Sequence, residues 1–482
     1  MKYKLLCITS TVLFLFAGCS ESTMDDVNKE LNDPLDVSVK NILPSVILQS
    51  AFETTGTDIA WYASVYVEHS TGTYNQLYNA DRRIGQNAAT LLTNNWNSLY
   101  EVLNSLKIIL DKTSASGPES DFYSARGVAQ VLTAYNLAVL TDGWGSVPYS
   151  EAFLGLKNMK PKFDKQSFLY VKIQELLDSA IVNLAKNSRA IDAISDYIYK
   201  GNVLLWTKAA WSLKARYYMR LTNVDPQAAQ KALDCVANGF ADNSESLIFN
   251  SYEATSVGEN PWFQFLNDRF YLSVSKTLYD LMDATADPRI AYYFDVVDTS
   301  ADYSGKYAYV PAESGNAEQS INGIYSISLI TEYGQTAPTP MMTYHELKFI
   351  EAEAKRRLGI ATFDSSLMQA IAANFSFHGV TESPSDFYNQ SVKPLLTGTL
   401  EGDLNVIITQ KYIAFYEHEA IEAYNDYRRT GIPKLNNRIN SMAGYGFVNR
   451  FPYGVSETTA NIENTPKIDV YKDKVWWAGG TE

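Results

Sequence analysis

The strongest constraint in this chain is a step of three and four between apolar residues that recurs along its length. In NNWNSLYEVLNSLKIIL, Trp96, Leu99, Leu103, Leu106 and Leu110 keep that step, and in RGVAQVLTAYNLAVL so do Val128, Val131, Leu132, Tyr135, Ala138 and Val139. KIQELLDSAIVNL keeps it most cleanly, with Ile173, Leu176, Leu177, Ala180, Ile181 and Leu184 on one face. A period near 3.6 predicts amphipathic helices, and every apolar stripe then needs a partner. GNVLLWTKAAWSLKARYYMRL, Gly201 to Leu221, is apolar on nearly every side, with Ala209, Ala210 and Ala215 among Trp206, Trp211 and Tyr217. Such a helix is expected between neighbours, its alanines letting backbones approach.

TYHELKFIEAEAKRRLG opens with a capping box, Thr343 and Glu346, and closes with Lys355, Arg356 and Arg357 before Gly359. Cap, dipole and stop signal agree on one helix. NVIITQKYIAFYEHEAIEAYNDYRR reads as another single helix that stops at Gly431 and Pro433. Consecutive helix pairs with a Trp or Tyr near the start and small residues inside predict a mostly α fold. Its pattern is about four tetratricopeptide-like helix pairs at irregular spacing, carrying long irregular loop insertions.

The first residues, MKYKLLCITSTVLFLFAGCSES, place Lys2 and Lys4 before an apolar run that ends at Phe16, with Ala17 and Gly18 directly before Cys19. This reads as a lipoprotein signal peptide over residues 1–18 whose Cys19 is diacylated and becomes the mature N-terminus. Two or three acyl chains on one cysteine hold a protein firmly to a membrane. No later apolar run is long enough to span a bilayer, so the lipid is the expected membrane contact. Residues 19–40 read as the lipidated cysteine and a flexible tether, and 41–482 as a single α-helical domain.

Loss of the leader removes Cys7 and leaves Cys235 as a lone thiol, so packing and not a disulfide must hold the domain. Loss of Lys2 and Lys4 takes the net charge from −14 to −16, since residues 1–18 carry no acid. That balance argues against nucleic acid as a partner.

Catalytic patterns are missing. His69, His345, His378 and His418 share no helical ligand spacing, and YHEL and EHEA lack the second histidine of a zinc helix. GxSxG, a Walker loop and a GxGxxG after a strand are also missing. No enzymatic activity and no cofactor is expected, and no metal site is assigned. Aromatic residues set among amides are more informative, because a sugar stacks its C–H face on Trp or Tyr while its hydroxyls need polar partners. Two insertions have that composition. The first offers Trp61, Tyr62, Tyr74, Asn75, Tyr78, Asp81 and Arg82, and the second offers Trp262, Asn267 and Tyr271. These ten are the candidate ligand residues.

LTDGWGSVPYSEAF, Leu140 to Phe153, resembles an active-site loop but reads better as a corner. The preceding helix is expected to end near Leu140, Asp142-Gly143 to turn, Trp144 to fold back and Pro148 to direct the chain outward.

RGVAQVLTAYNLAVLTDGWGSVPYSEAF, WTKAAWSLKARYYMRL, VSKTLYDLMDATADPRI, MMTYHELKFIEAEAKRRLG, QKYIAFYEHEAIEAYNDYRRTGIPKL and the terminal VWWAGG together resemble the SusD/RagB family of outer-membrane lipoproteins from Bacteroidota. The resemblance spans almost the whole mature chain, in order. It implies a non-enzymatic surface protein on the outside of the outer membrane. Such a protein sits as a lid on a SusC-like TonB-dependent transporter and passes it an oligosaccharide. Two alternatives stay open: an oligopeptide-binding lid of the RagB type, and a helical-repeat adaptor that binds only protein.

Overall fold

The amphipathic stretches become helices, and each buries most of the stripe its sequence marks, with Leu110, Leu176 and Ile181 half-buried at the edges. The structure, a computed structural model, describes residues 37–332, 334–436 and 445–482. The leader, Cys19 and the tether as far as residue 36 lie outside the described residues.

α1 (Val39–Gln49) continues into a π-helical turn at Ser50–Thr55 and is followed by α2 (Asp58–Tyr66), β1 (Ser70–Gly72) and α3 (Asn75–Asp81). The long helices are α4 (Thr93–Lys112), α5 (Tyr123–Trp144), α6 (Gln166–Leu184) and α7 (Val203–Arg220), and α8 (Ala228–Val236) follows them. A mixed region holds β2 (Leu247–Phe249), α9 (Pro261–Arg269), β3 (Leu272–Val274), α10 (Lys276–Asp283) and β4 (Thr339–Met342). α11 (Tyr344–Arg357), α12 (Phe363–Phe377), α13 (Leu400–Ala414), α14 (Ala420–Thr430) and α15 (Val455–Ala460) complete the chain.

Helices adjacent in sequence are adjacent in space. α4 packs on α5, α5 on α6, α6 on α7, α7 on α8, α8 on α11, and α11 on both α12 and α13. This is the stacked-hairpin arrangement the helix pairs predict. Among the described residues the strands add two short antiparallel ladders beyond a two-residue pairing, β1 with β3 and β2 with β4. One large core runs under α1 to α8, and a smaller one gathers Phe349, Leu367, Ile371, Phe375 and Ile407 beneath α11 to α13.

Four expectations need correction. The 405–429 stretch is two helices, because the chain breaks between Ala414 and Ala420, with Glu417 at φ +61°. The break turns Glu419 inward, where it accepts from Thr343 Oγ1 at 3.0 Å and pairs with His345 Nε2 at 2.8 Å. Only half the capping box forms. Thr343 Oγ1 accepts from the Glu346 N–H at 3.1 Å, but the Glu346 carboxylate turns to Arg216 Nε at 2.8 Å.

α5 does not stop near Leu140. It runs through Asp142 and Gly143 to Trp144, and Gly145 at φ +79° ends it, a conformation open to glycine at no steric cost. Finally, the two aromatic insertions are not irregular: they contain α2, α3 and α9. Asn260 caps α9, its side chain accepting from the N–H groups of Trp262 and Phe263.

The corner after α5 is a structural hub. Trp144 is fully buried and donates from Nε1 to the Pro452 carbonyl at 2.7 Å. Asp142 accepts from Tyr170 Oη and from Trp477 Nε1 at 2.8 Å, and Arg220 Nε lies 3.4 Å away. The terminal VWWAGG therefore docks its second tryptophan onto the corner. Burial pushes the Asp142 carboxyl up, and Arg220 opposes that shift. Next to it Arg220 meets Glu422, Lys411 meets Asp426 at 2.7 Å, and Arg429 holds Glu353 at 2.6 and 2.8 Å. Such a network is costly to break from one side, since a lone buried charge is left behind.

Candidate ligand-binding face

The two aromatic insertions, almost 200 residues apart in sequence, are joined by three-residue strands. Ser70, Thr71 and Gly72 pair with Val274, Ser273 and Leu272, and the Thr73 N–H donates to the Tyr271 carbonyl at 2.9 Å. Gly72 is required where the chain turns from β1 into α3, because a Cβ there would lie 2.1 Å from the Leu77 carbonyl oxygen. The result brings the Tyr74 and Tyr271 rings to 5.1 Å, tilted by 57°. Tyr74 is 37% exposed and Tyr271 half-buried.

α3 presents Tyr74, Tyr78 and Arg82 at steps of four, one face of a helix and its ends. Arg82 lies 5.1 Å over the Tyr78 ring and donates to its hydroxyl at 3.3 Å. Asn75 and Asn267 are exposed nearby in sequence to these tyrosines. Six of the ten candidates thus retain open surface: Tyr74, Asn75, Tyr78, Arg82, Asn267 and Tyr271.

The other four are buried. Trp61 stacks on Phe265 at 4.0 Å and meets Trp262 edge-on at 6.4 Å, so α2 and α9 lock together through rings that could have stacked a ligand. Tyr62 is 4% exposed, packs on Tyr66, and has its phenol pushed up by burial and by Asp58. Asp81 accepts from Ser314 Oγ at 2.6 Å and the Gly315 N–H at 2.8 Å, pinning a distant loop to the end of α3. Burial, outweighing those bonds and Arg83, pushes its carboxyl up to about 6. Placement as wall and support, not as open platform, is the correction for Trp61, Tyr62, Asp81 and Trp262. The α2–α9 contact covers Trp61 and Trp262, Tyr66 packs on Tyr62, and the Ser314–Gly315 loop closes over Asp81.

α3 also borders two cavities. One, about 380 Å³, is lined by Gln76 and Asn79 of α3, Asp58 and Tyr62 of α2, and by Gln86, Thr90 and Asn94. Its amides and hydroxyls, the chemistry that ring hydroxyls require, share the lining with Ile84, Ala88, Leu91 and Leu92. Gln86 is held in place by the Tyr66 hydroxyl, which donates to its Oε1. The other, about 410 Å³, is lined by polar residues, with Glu68, Asp81, Asp280 and Glu313 against Lys276 and no aromatic wall. Gln86, Thr90 and Asn94 lie outside the sequence-derived set, although the amide-rich run IGQNAATLLTNN that carries them was a signal of the same kind. No group of three or more His, Cys, Asp or Glu among the described residues has the geometry to hold a metal ion.

With the helical stack and this face in place, comparison decides the family. A family model described as starch-binding and associating with the outer membrane, the SusD-like model, matches residues 36–454. The chain belongs to the SusD-like family. The solved structure of a SusD/RagB family protein from Bacteroides thetaiotaomicron is similar to this SusD-like chain at 33% identity and a TM-score of 0.83, covering 93% of this chain and 100% of its own. A chitin-binding SusD homologue from Flavobacterium johnsoniae shares the fold at 22% identity and a TM-score of 0.75, covering 91% and 98%. A SusD homologue from Bacteroides uniformis does so at 21% and 0.74, covering 92% and 99%. A search of curated proteins found no match. Among the described residues no helix is long and apolar enough to cross a membrane, and the family is one of outer-membrane-associated binding proteins.

Proposed function

We propose that this SusD-like protein is a non-enzymatic lipoprotein, anchored through Cys19, that captures an oligosaccharide outside the cell and delivers it to a SusC-like TonB-dependent transporter as its lid. The observation that carries the ligand class is what α3 brings together along its length: the Tyr74–Tyr271 ring pair stands at its start, and Gln76 and Asn79 of the same helix line a cleft shared with Thr90 and Asn94. The open ring surface supplies stacking area, and the amides donate to and accept from hydroxyls. Arg82 and Asn75 extend the polar edge. Family membership and chitin binding by a relative of the same fold support a glycan over other nutrients.

A lid on a lipid anchor and tether suits a weak site, because attachment keeps the lid near its partner and raises the effective concentration. Calorimetry of the mature chain against panels of neutral oligosaccharides and of mixed peptides tests the ligand class. Heat with at least one oligosaccharide family and none with peptides is expected. Binding confined to peptides would assign the protein to the RagB-type reading instead. Co-purification of a barrel transporter from outer membranes tests the partner, and its absence would remove the lid role.

A further inference from the structure

α4 carries two stripes. Trp96, Leu99, Leu103 and Leu106 are buried in the core, and Asn97, Tyr100 and Asn104, with Glu101, repeat the same step one residue on. Spacing of that kind usually marks a covered face. Here it carries two amides, a phenol and a carboxylate, of which Asn97, Glu101 and Asn104 are exposed.

Opposite them lie the corner after α5 and the start of α15. Together they enclose a cleft of about 430 Å³, walled by Tyr100, Pro148 and Phe153 and edged by Asn97, Asn104 and Glu457. Its walls are fixed. Tyr100 Oη donates to the Pro148 carbonyl at 2.8 Å, and Ser456 Oγ donates to Asn97 Oδ1 at 2.8 Å, tying α15 to α4.

Phe153 has φ +62°, a conformation that a bulky side chain adopts only under strain. Strained backbone persists where the surrounding structure holds it, and it clusters at ligand sites. This one sets the Phe153 ring 6.0 Å from the Tyr100 ring, tilted by 43°. No basic residue lines the cleft, whereas Glu101 and Glu457 both do. Glu457 is half-buried and its Oε1 accepts from Asn461 Nδ2 at 2.6 Å.

We propose that this cleft is a second glycan subsite that takes an amino sugar, its ring stacked on Phe153 and Tyr100 and its ammonium held by the carboxylates of Glu101 and Glu457. Asn97 and Asn104 are placed to meet its hydroxyls. Two carboxylates without a cation in the lining repel uronic or sulfated sugars. None of the residues that line it lines the cleft beside α3. The proposal therefore stands apart from the reading of the α3 face.

The test is calorimetry of the mature chain with three probes: glucosamine trimer, its fully N-acetylated form, and galacturonic acid trimer. Glucosamine trimer is expected to bind at least tenfold more tightly than the N-acetylated form, and galacturonic acid trimer not at all. Phe153→Gly and Glu101→Gln are each expected to weaken the glucosamine trimer at least tenfold, with Tyr74→Ala leaving it unchanged. Because glycine accepts φ +62° freely, Phe153→Gly should melt no lower than the parent by more than a few degrees, which separates lost binding from lost folding. Absence of heat with glucosamine trimer, equal binding of the acidic trimer, or loss with Tyr74→Ala but not with Phe153→Gly would each overturn the inference. Loss with Tyr74→Ala alone would place the trimer on the α3 face instead, whereas the other two outcomes leave the reading of that face untouched.

Discussion

Trp144 and Tyr74 sit in the two segments of this protein with the most ligand-like composition, and the fold treats them in opposite ways. Trp144 closes a long helix, has no exposed surface, and spends its one polar atom on the Pro452 carbonyl. Tyr74 opens a short helix and is 37% exposed. The difference is one of supply. Around Trp144 the chain provides rings on several sides, Trp96 at 5.6 Å and Phe451 at 5.1 Å, together with a backbone acceptor. Around Tyr74 it provides one ring and then solvent. A striking run of Gly, Trp and Pro thus builds the scaffold, and the plainer Tyr and Asn run faces outward.

The contrast can be broken at several points. Trp144→Ala should cost the most, about 3–5 kcal/mol for a large buried ring, read as a fall in Tm. A loss below about 1 kcal/mol would show that the corner is not a packing hub. Arg429→Met should cost about 3–5 kcal/mol, since Glu353 and Asp426 keep their buried charge without it. Urea unfolding would read it, and a neutral outcome would contradict the one-sided cost argued for this network.

Glu417, in the break before α14, has its carboxyl raised to about 8 by burial. Its folded pKa lies above the unfolded value of 4.5, so its contribution is full below pH 4.5 and is lost as pH rises through 8. Glu417→Gln keeps the neutral form at every pH. Its stability relative to the parent should therefore grow between pH 5 and 8, by up to about 1.4 kcal/mol per pH unit. A pH-independent difference would rule out a buried neutral acid. Smallest is Trp61→Phe. Trp61 Nε1 is buried without a partner, so its removal should change stability by less than about 1 kcal/mol and leave ligand binding intact.

Helix identity was legible because burial follows the apolar step, as Leu99, Leu103 and Leu106 of α4 show. Family motifs were legible for the same reason that they are buried: Trp144, Asp142 and Trp477 form one hub. The helix break at Phe415–Glu419 was hidden, since the apolar period runs through Phe415 and only the tertiary partners of Glu419 explain the turn. Convergence was hidden too. His345, His378 and His418 share no spacing, yet their rings all pack on Phe377, at 5.3, 5.0 and 5.9 Å.

Within the two aromatic segments, the sequence did not show which rings stay open. That depends on the α2–α9 contact, through which Phe265 and Trp262 cover Trp61. It depends also on three-residue strands too short to leave a pattern in the sequence. Composition marks where aromatic surface is abundant, and only packing decides how much of it is left for a ligand.

The central claim is that captured glycan lies on the α3 face. The direct measurement is the dissociation constant of the best-binding neutral oligosaccharide for the parent and for the Tyr74→Ala, Tyr271→Ala double variant, with Tm recorded alongside. Loss of two stacking rings predicts at least a tenfold weaker constant with Tm shifted by no more than a few degrees. An unchanged constant in a variant that still melts like the parent would contradict the account.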